Sequence, residues 1–327
     1  MSPSRFLIIG LGSMGKRRIR NLQNLKAGSI VGFDLKEERR KEAEGIYKIN
    51  TIKNLKEADF EKIDAVIIST PPSTHNQYLK LAIENRKPAF VEIGVILKGL
   101  EEINNLAKKE KVLIAPSCTF RFHPVIKGIK KIVKSGLYGK ATNFSYHMGQ
   151  YLPDWHPWEN VKNFYAGQKK TGGAREMVSF ELTWLVGILG FPKRVRAFYG
   201  KTTDVGAAIN DTYVIALDFG RSFGSLIIDV VSRYATRSLI INMEKGQIVW
   251  RWDEREMRLY EAEKQKWHFY RYSRGQSLKG YNRNITEEMY IEEMKTFIEA
   301  IKGNVRFPHS LKDYIKILKL LTNIEKR

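Results

Sequence analysis

From Arg5 to Pro116, short apolar runs alternate with segments whose apolar residues recur at helical spacing. The runs are RFLII, SIVGF, AVIIST, AFVEI and KVLIAP, and between them lie MGKRRIRNLQNL, KEERRKEAE, HNQYLKLAIEN and LEEINNLAKKE. Such alternation predicts a parallel sheet with helices on both faces, joined by right-handed crossovers. The pattern changes near Cys118. A helix is expected from about Val125 to Ser135, a strand from Ala141 to His147, an aromatic loop from Gln150 to Lys170 and a helix from Gly173 to Leu189. Strand candidates then follow one another: VRAFYG, DTYVIALDFG, GSLIIDVV, RSLIINM, QIVWRW and MRLYEA. Their meander order predicts an open, mostly antiparallel sheet. Two amphipathic helices, Thr286 to Lys302 and Leu311 to Glu325, close the chain, and Ser310 and Asp313 stand at capping-box spacing before the second. The fold class is therefore α/β, with a doubly wound N-terminal domain over residues 1–119 and an α+β domain over 120–327.

Composition bounds this picture. The chain has 327 residues, 43% of them hydrophobic and 28% charged, which suits a globular protein of two domains. No apolar stretch is long enough to cross a bilayer, and MSPSRFLIIGLG reads as a first strand, not a secretory signal, so a cytoplasmic location is expected. Cys118 is the single cysteine, which excludes an internal disulfide and a multi-thiolate site, and no metal is expected. The formal charge of +21 favours anionic ligands and raises nucleic acid as a partner. The basic residues are, however, interspersed with glutamates along amphipathic segments, as in KEERRKEAE, which argues for a solvated surface instead.

The chemistry begins at Gly10-x-Gly12-x-x-Gly15, directly after a predicted strand and before a predicted helix. In that context Gly10 permits the tight turn, Gly12 lets the backbone approach a diphosphate, and Gly15 lets helix and sheet pack closely. Ser13 and Met14 lie in the turn, where the helix N-terminus offers free N–H groups to an anion. Asp34 ends the second strand, where a carboxylate accepts hydrogen bonds from the adenosine ribose and repels the extra phosphate of NADP. NAD is thus expected over NADP, with Lys36, Arg39 and Arg40 acting against that preference. Ser69, Thr70 and Pro71 follow the fourth strand at the ligand-binding carboxyl edge of the sheet, and His75 opens the next helix there. All four join the expected cofactor-binding set.

These residues carry a resemblance. VIISTPPSTHNQYLKLAIENRKPAFVE, FRFHP at Phe120 to Pro124, the double glycine at Gly172 and SLKD near the C-terminus resemble the Gfo/Idh/MocA family of oxidoreductases. GQYLPDWHPWENVKNFYA, from Gly149 to Ala166, resembles members that accompany surface-polysaccharide and sialic-acid-type sugar synthesis. The resemblance implies a Rossmann domain followed by an α+β domain, and a sugar, sugar acid or nucleotide sugar as substrate. It also implies a homodimer or homotetramer built on the outer face of the large sheet, and places Glu92 near the nicotinamide ribose. The family's usual lysine after this glutamate is Ile93 here, and its usual Asp, His and Asp on the later helix fall at Met177, Phe180-Glu181 and Thr183.

Hydride transfer to or from an alcohol requires a group that handles the hydroxyl proton, which isoleucine and phenylalanine cannot do. His156 and Glu176 are the catalytic candidates, against plain readings as a loop anchor and a first-turn helix acid. Trp155, Trp158 and Tyr165 are candidates for an apolar wall under a sugar ring, or else pin their loop to the core. Arg175 and Arg121 are candidate anion contacts, or else a solvent-facing cation and a hinge ion pair. Two readings lead: a dinucleotide-dependent sugar oxidoreductase, and a catalytically impaired member that binds dinucleotide and sugar. Nucleic-acid binding, resting on charge alone, is the third.

Overall fold

The computed structural model describes residues 4–155, 157, 159–272 and 286–326. It divides into two compact units, Met1–Thr119 with Tyr290–Lys316, and Phe120–Met289 with Ile317–Arg327.

In the first unit β1 (Ser4–Ile9), α1 (Ser13–Asn24), β2 (Gly28–Phe33), α2 (Glu37–Tyr47), β3 (Asn50–Ile52), β4 (Ala65–Ile68), α3 (His75–Glu84), β5 (Ala89–Val91), α4 (Leu100–Lys109) and β6 (Ile114–Pro116) follow in turn. The strands form one parallel sheet in the order β3-β2-β1-β4-β5-β6. The order reverses between β1 and β4, which makes the carboxyl ends of those strands the ligand-binding switch point of such a sheet. Leu7, Ile8, Ile67 and Phe90 are wholly buried, as central strands covered on both faces require. β3 was not anticipated, since NTI is three residues long and never fully buried.

Two further helices are α7 (Glu287–Ile301) and α8 (Leu311–Ile324). The Ser310 hydroxyl accepts the Asp313 backbone N–H at 3.1 Å and donates to its carboxylate at 2.8 Å, so the expected cap forms. Sequence pattern alone assigned everything after residue 119 to the second domain, yet residues 290–316 pack with the first unit. The rings of Phe297 and Phe307 lie 5.6 and 6.3 Å from that of Phe90 on β5, and this aromatic contact outweighs chain proximity.

The second unit contains α5 (Pro124–Ser135), β7 (Ala141–Tyr151), α6 (Ala174–Leu189), β8 (Arg194–Gly200), β9 (Thr212–Asp218), β10 (Phe223–Asp229), β11 (Val231–Met243), β12 (Gly246–Arg251), β13 (Glu256–Glu261) and β14 (Lys266–Arg271). Its sheet runs β14-β13-β12-β11-β7-β10-β9-β8, antiparallel throughout except for the β7 and β10 pair. β14 was not foreseen, because KWHFYR is an exposed edge strand flanked by charges. One face of the sheet buries Tyr146, Leu226, Leu239 and Trp250, while on the other Phe198, Val214 and Ile227 face one another across β8, β9 and β10 and remain exposed.

His123, at the start of α5, is buried with its ring stacked on Phe120 at 5.1 Å and its Nδ1 without a partner. Burial first, and the charge of Arg237 second, push its pKa down to about 3. A basic group so depressed keeps its full contribution above its ordinary pKa of 6.5 and loses it as the pH falls toward 3. The expected cost is about 2 kcal/mol by roughly pH 5. His123→Phe should therefore flatten the acid side of the stability curve, as read by urea midpoints at about pH 7.5 and about pH 5.

Candidate functional site

The glycine turn follows β1 directly. Gly10 has φ +93°, closed to most side chains, and its N–H donates to the Phe33 carbonyl at 2.8 Å. A Cβ on Gly15 would overlap the Gly10 carbonyl oxygen, so α1 can approach β1 this closely only without a side chain there. Gly12 is open, its nearest neighbour being Arg39 Nη1, 3.6 Å from where a Cβ would sit. Ser13 starts α1, and Met14 Sδ accepts Arg17 Nη1 at 3.4 Å.

Ser69 and Thr70 lie against Gly10, and the Ser69 hydroxyl is buried with no partner among the described residues. A donor orphaned beside a glycine cradle at a helix N-terminus fits a diphosphate, and with Asp34 it makes the turn suited to a dinucleotide. Asp34 Oδ2 accepts the Leu11 N–H at 2.8 Å and Oδ1 that of Lys36 at 2.9 Å. Arg39 stands 3.5 Å from the same carboxylate, and Arg40 donates to the Asp34 and Leu35 carbonyls. Pro71 leads into the turn before α3, where His75 Nε2 meets the Thr70 carbonyl at 2.8 Å. Burial pushes the His75 pKa down to about 4, so the ring is neutral and donates Nε2–H, bracing Thr70. Gly10, Gly12, Ser13, Met14, Gly15, Asp34, Ser69, Thr70, Pro71 and His75 thus gather along one sheet edge.

Glu92 follows β5 and takes a bidentate ion pair from Arg18 of α1 at 2.6 and 3.1 Å. Arg18 is wholly buried and also lies 3.0 Å from Glu293 of α7. Sequence reading missed both residues. The signal was a charged residue at a buried helical position, Arg18 between Gly15, Ile19 and Leu22, and Glu293 between Tyr290, Met294 and Phe297.

In the second unit Gly172 meets the backbone of Ala166 too closely for any side chain, and Gly173 precedes α6 at φ +65°. Glu176, in the first turn of α6, is buried and accepts the Tyr165 hydroxyl at 3.1 Å. Tyr165 and Glu176 are therefore brought together. Arg175 instead forks onto Glu325 at 2.7 and 3.0 Å, a carboxylate that also takes the Tyr213 hydroxyl at 2.9 Å. Arg121 Nε donates to the Thr183 carbonyl at 2.8 Å. Trp155 is half-buried and its indole N–H has no partner among the described residues. His156 and Trp158 lie outside the described residues. Glu181, a second acid on α6, turns to the buried Arg237 at 2.9 Å. Phe180 sits 5.8 Å from the Phe120 ring.

Residues 4–117 match the model of the oxidoreductase family with an NAD-binding Rossmann fold, and residues 126–249 match the GFO/IDH/MocA C-terminal domain. Inositol 2-dehydrogenase of Mycolicibacterium smegmatis is 29% identical over 147 residues, 43% of either chain. The scyllo-inositol 2-dehydrogenase (NAD(+)) of Bacillus subtilis is 33% identical over 151 residues, again 43% of either chain. The match thus spans less than half the length of these curated relatives. An Agrobacterium radiobacter oxidoreductase, solved with NAD+, L-tartaric acid and magnesium, superposes with a TM-score of 0.86 at 15% identity over 98% of this chain and 95% of its own, which shows a shared fold.

The glycine geometry makes a direct test. Gly15→Ala should separate α1 from β1, cost about 2–4 kcal/mol in urea unfolding and weaken NADH binding tenfold or more. Gly45→Ala, in a helix with nothing within 4 Å of the new methyl, should be neutral or slightly stabilising and leave NADH fluorescence titrations unchanged.

Proposed function

This chain belongs to the Gfo/Idh/MocA oxidoreductase family, and from that premise we propose that it is an NAD-dependent oxidoreductase acting on a hydroxyl-bearing carbon of a sugar, sugar acid or nucleotide sugar. The observation that carries this reading is the glycine turn with the orphaned Ser69 hydroxyl beside it and the backbone-fixed Asp34 at the next strand end. The expected cofactor contacts are Gly10, Gly12, Ser13, Met14, Gly15, Asp34, Ser69, Thr70, Pro71, His75 and Glu92. Bound there, the nicotinamide supplies hydride chemistry. The chain must place the hydroxyl proton.

With Ile93 and Phe180 where the family usually has lysine and histidine, the Glu176 and Tyr165 pair is the best-formed proton acceptor, and His156 is the second candidate. Arg121, Trp155, Trp158 and Arg175 remain the proposed substrate contacts. The net charge of +21 favours an anionic sugar, in keeping with the polysaccharide-type segment from Gly149 to Ala166. Asp34 favours NAD, against the pull of Arg39. Among the described residues no helix is long and apolar enough to cross a membrane. A second reading, binding without turnover, is favoured by one observation: Arg175 is already held by Glu325.

Titration of the full chain with NADH and NADPH, followed by nicotinamide fluorescence, should show saturable binding tighter for NADH. No change with either ends the proposal. Oxidation of inositols, free sugars and nucleotide sugars with NAD is then screened by absorbance. On any substrate turned over, Glu176→Gln should lower kcat by about 10²–10⁴-fold with NADH affinity intact. Unchanged kcat would remove Glu176 from the assignment.

We further propose that two copies meet through the outer sheet face, where Phe198 is 86% exposed in one row with Val214 and Ile227. Sedimentation should find a dimer or tetramer, and Phe198→Glu should shift it toward monomer without lowering the melting temperature.

A further inference from the structure

We propose that Arg18 is a positioning residue of the dinucleotide site, holding Glu92 in place while Glu293 holds Arg18. The inference rests on the reading of Glu92 as a contact of the nicotinamide ribose. Arg18 is 0% exposed. Its Nε and Nη2 grip both oxygens of Glu92, at 2.6 and 3.1 Å, a fork that fixes the plane of the carboxylate as well as its place. Nη2 also lies 3.0 Å from Glu293 Oε2, and the guanidinium lies over the rings of Phe90 and Tyr290 at 4.5 and 5.4 Å.

The two carboxylates differ in how they are anchored. Glu293 is tied to the chain after β6 three times over: Oε1 accepts the Cys118 N–H at 2.6 Å and the Ser117 hydroxyl at 3.2 Å, and Oε2 the Thr119 hydroxyl at 2.6 Å. It would stay where it is without Arg18. Glu92 has Arg18 as its one side-chain hydrogen-bond partner among the described residues. Its side chain keeps 11% exposure at the carboxyl end of β5, with lone pairs left over for hydroxyl donors. Order therefore runs from a fixed carboxylate through a buried cation to a carboxylate that faces the ligand edge. Ile93 brings no cation of its own, and among the described residues Arg18 is the cation paired with Glu92. A guanidinium serving only to join α1 to α7 would need Glu293 and nothing else.

The test is a double-mutant cycle on the full chain, read by NADH fluorescence titration, with circular dichroism and melting as fold controls. Arg18→Met and Glu92→Gln should each weaken NADH on the order of tenfold, and the double variant should be no weaker than Glu92→Gln alone. Arg18→Lys should recover part of the loss. Full additivity of the two substitutions, or wild-type affinity in Arg18→Met, overturns the proposal. If Arg18→Met does not fold, Arg18→Lys in the two Glu92 backgrounds reads the same coupling: a several-fold loss with Glu92 present and none with Gln. Absence of NADH binding in the wild-type chain would instead sink the reading of the site, a separate outcome from wild-type binding with additive variants.

Discussion

A guanidinium taken out of water must be met by carboxylates in fixed places, and each unit is organised around one such burial. Removing an ion from solvent still costs several kcal/mol after the protein relaxes, and breaking one partner of a buried pair typically costs about 3–5 kcal/mol. In the first unit Arg18 joins α1, the end of β5 and α7 through Glu92 and Glu293. Burial opposes its charge, but the two carboxylates outweigh burial and hold its pKa above the ordinary value. In the second unit Arg237 of β11 gives Nε and Nη2 to Glu181 Oε1 at 3.0 and 2.9 Å, with its face on Phe120 and Trp252. Glu181 Oε2 then takes the Tyr146 hydroxyl and the Trp184 indole N–H at 2.8 and 2.6 Å. One charge thereby fixes α6 against the sheet.

These burials decide which acids remain for chemistry. Glu181 and Glu293 are saturated by structural partners and have no lone pair facing outward, whereas Glu92 has Arg18 as its one side-chain hydrogen-bond partner among the described residues. Burial raises the Glu293 pKa above its ordinary value even with Arg18 beside it, and the charge of Glu92 pushes the same way.

How much of this was legible follows from how local each signal is. The alternation of strand and helix, the meander after α6 and the cap at Ser310 are encoded within a few residues, and they appear in the structure nearly where the pattern puts them. The glycine turn and Asp34 are local too, for their geometry is set by backbone conformation and strand ends. β3 and β14 escaped because one is very short and the other an exposed edge, with no buried face to impose a period. The return of residues 290–316 to the first unit escaped because an amphipathic helix states that it has a partner without saying which. Ion pairs were the least legible. Arg175 meets Glu325, 150 residues on, and Arg237 meets Glu181 across 56, distances over which no spacing rule operates.

The same reasoning bears on the direction in which the proposed reaction is best served. Glu176 sits in the first turn of α6, where unpaired N–H groups and the helix dipole favour an anionic oxygen over a neutral one. Tyr165 adds a hydroxyl that donates to that oxygen, an interaction also stronger with the charged form. A carboxylate kept in its charged form acts as an acceptor, not a donor, toward a substrate hydroxyl. In the proposed reaction its task would be to receive the hydroxyl proton as an alcohol is oxidised, whereas reduction of a carbonyl by the same pair would draw its proton from the phenol of Tyr165. The loss of lysine and histidine at Ile93 and Phe180 therefore need not leave the chain without a base. On the proposed assignment the base stands at the start of α6.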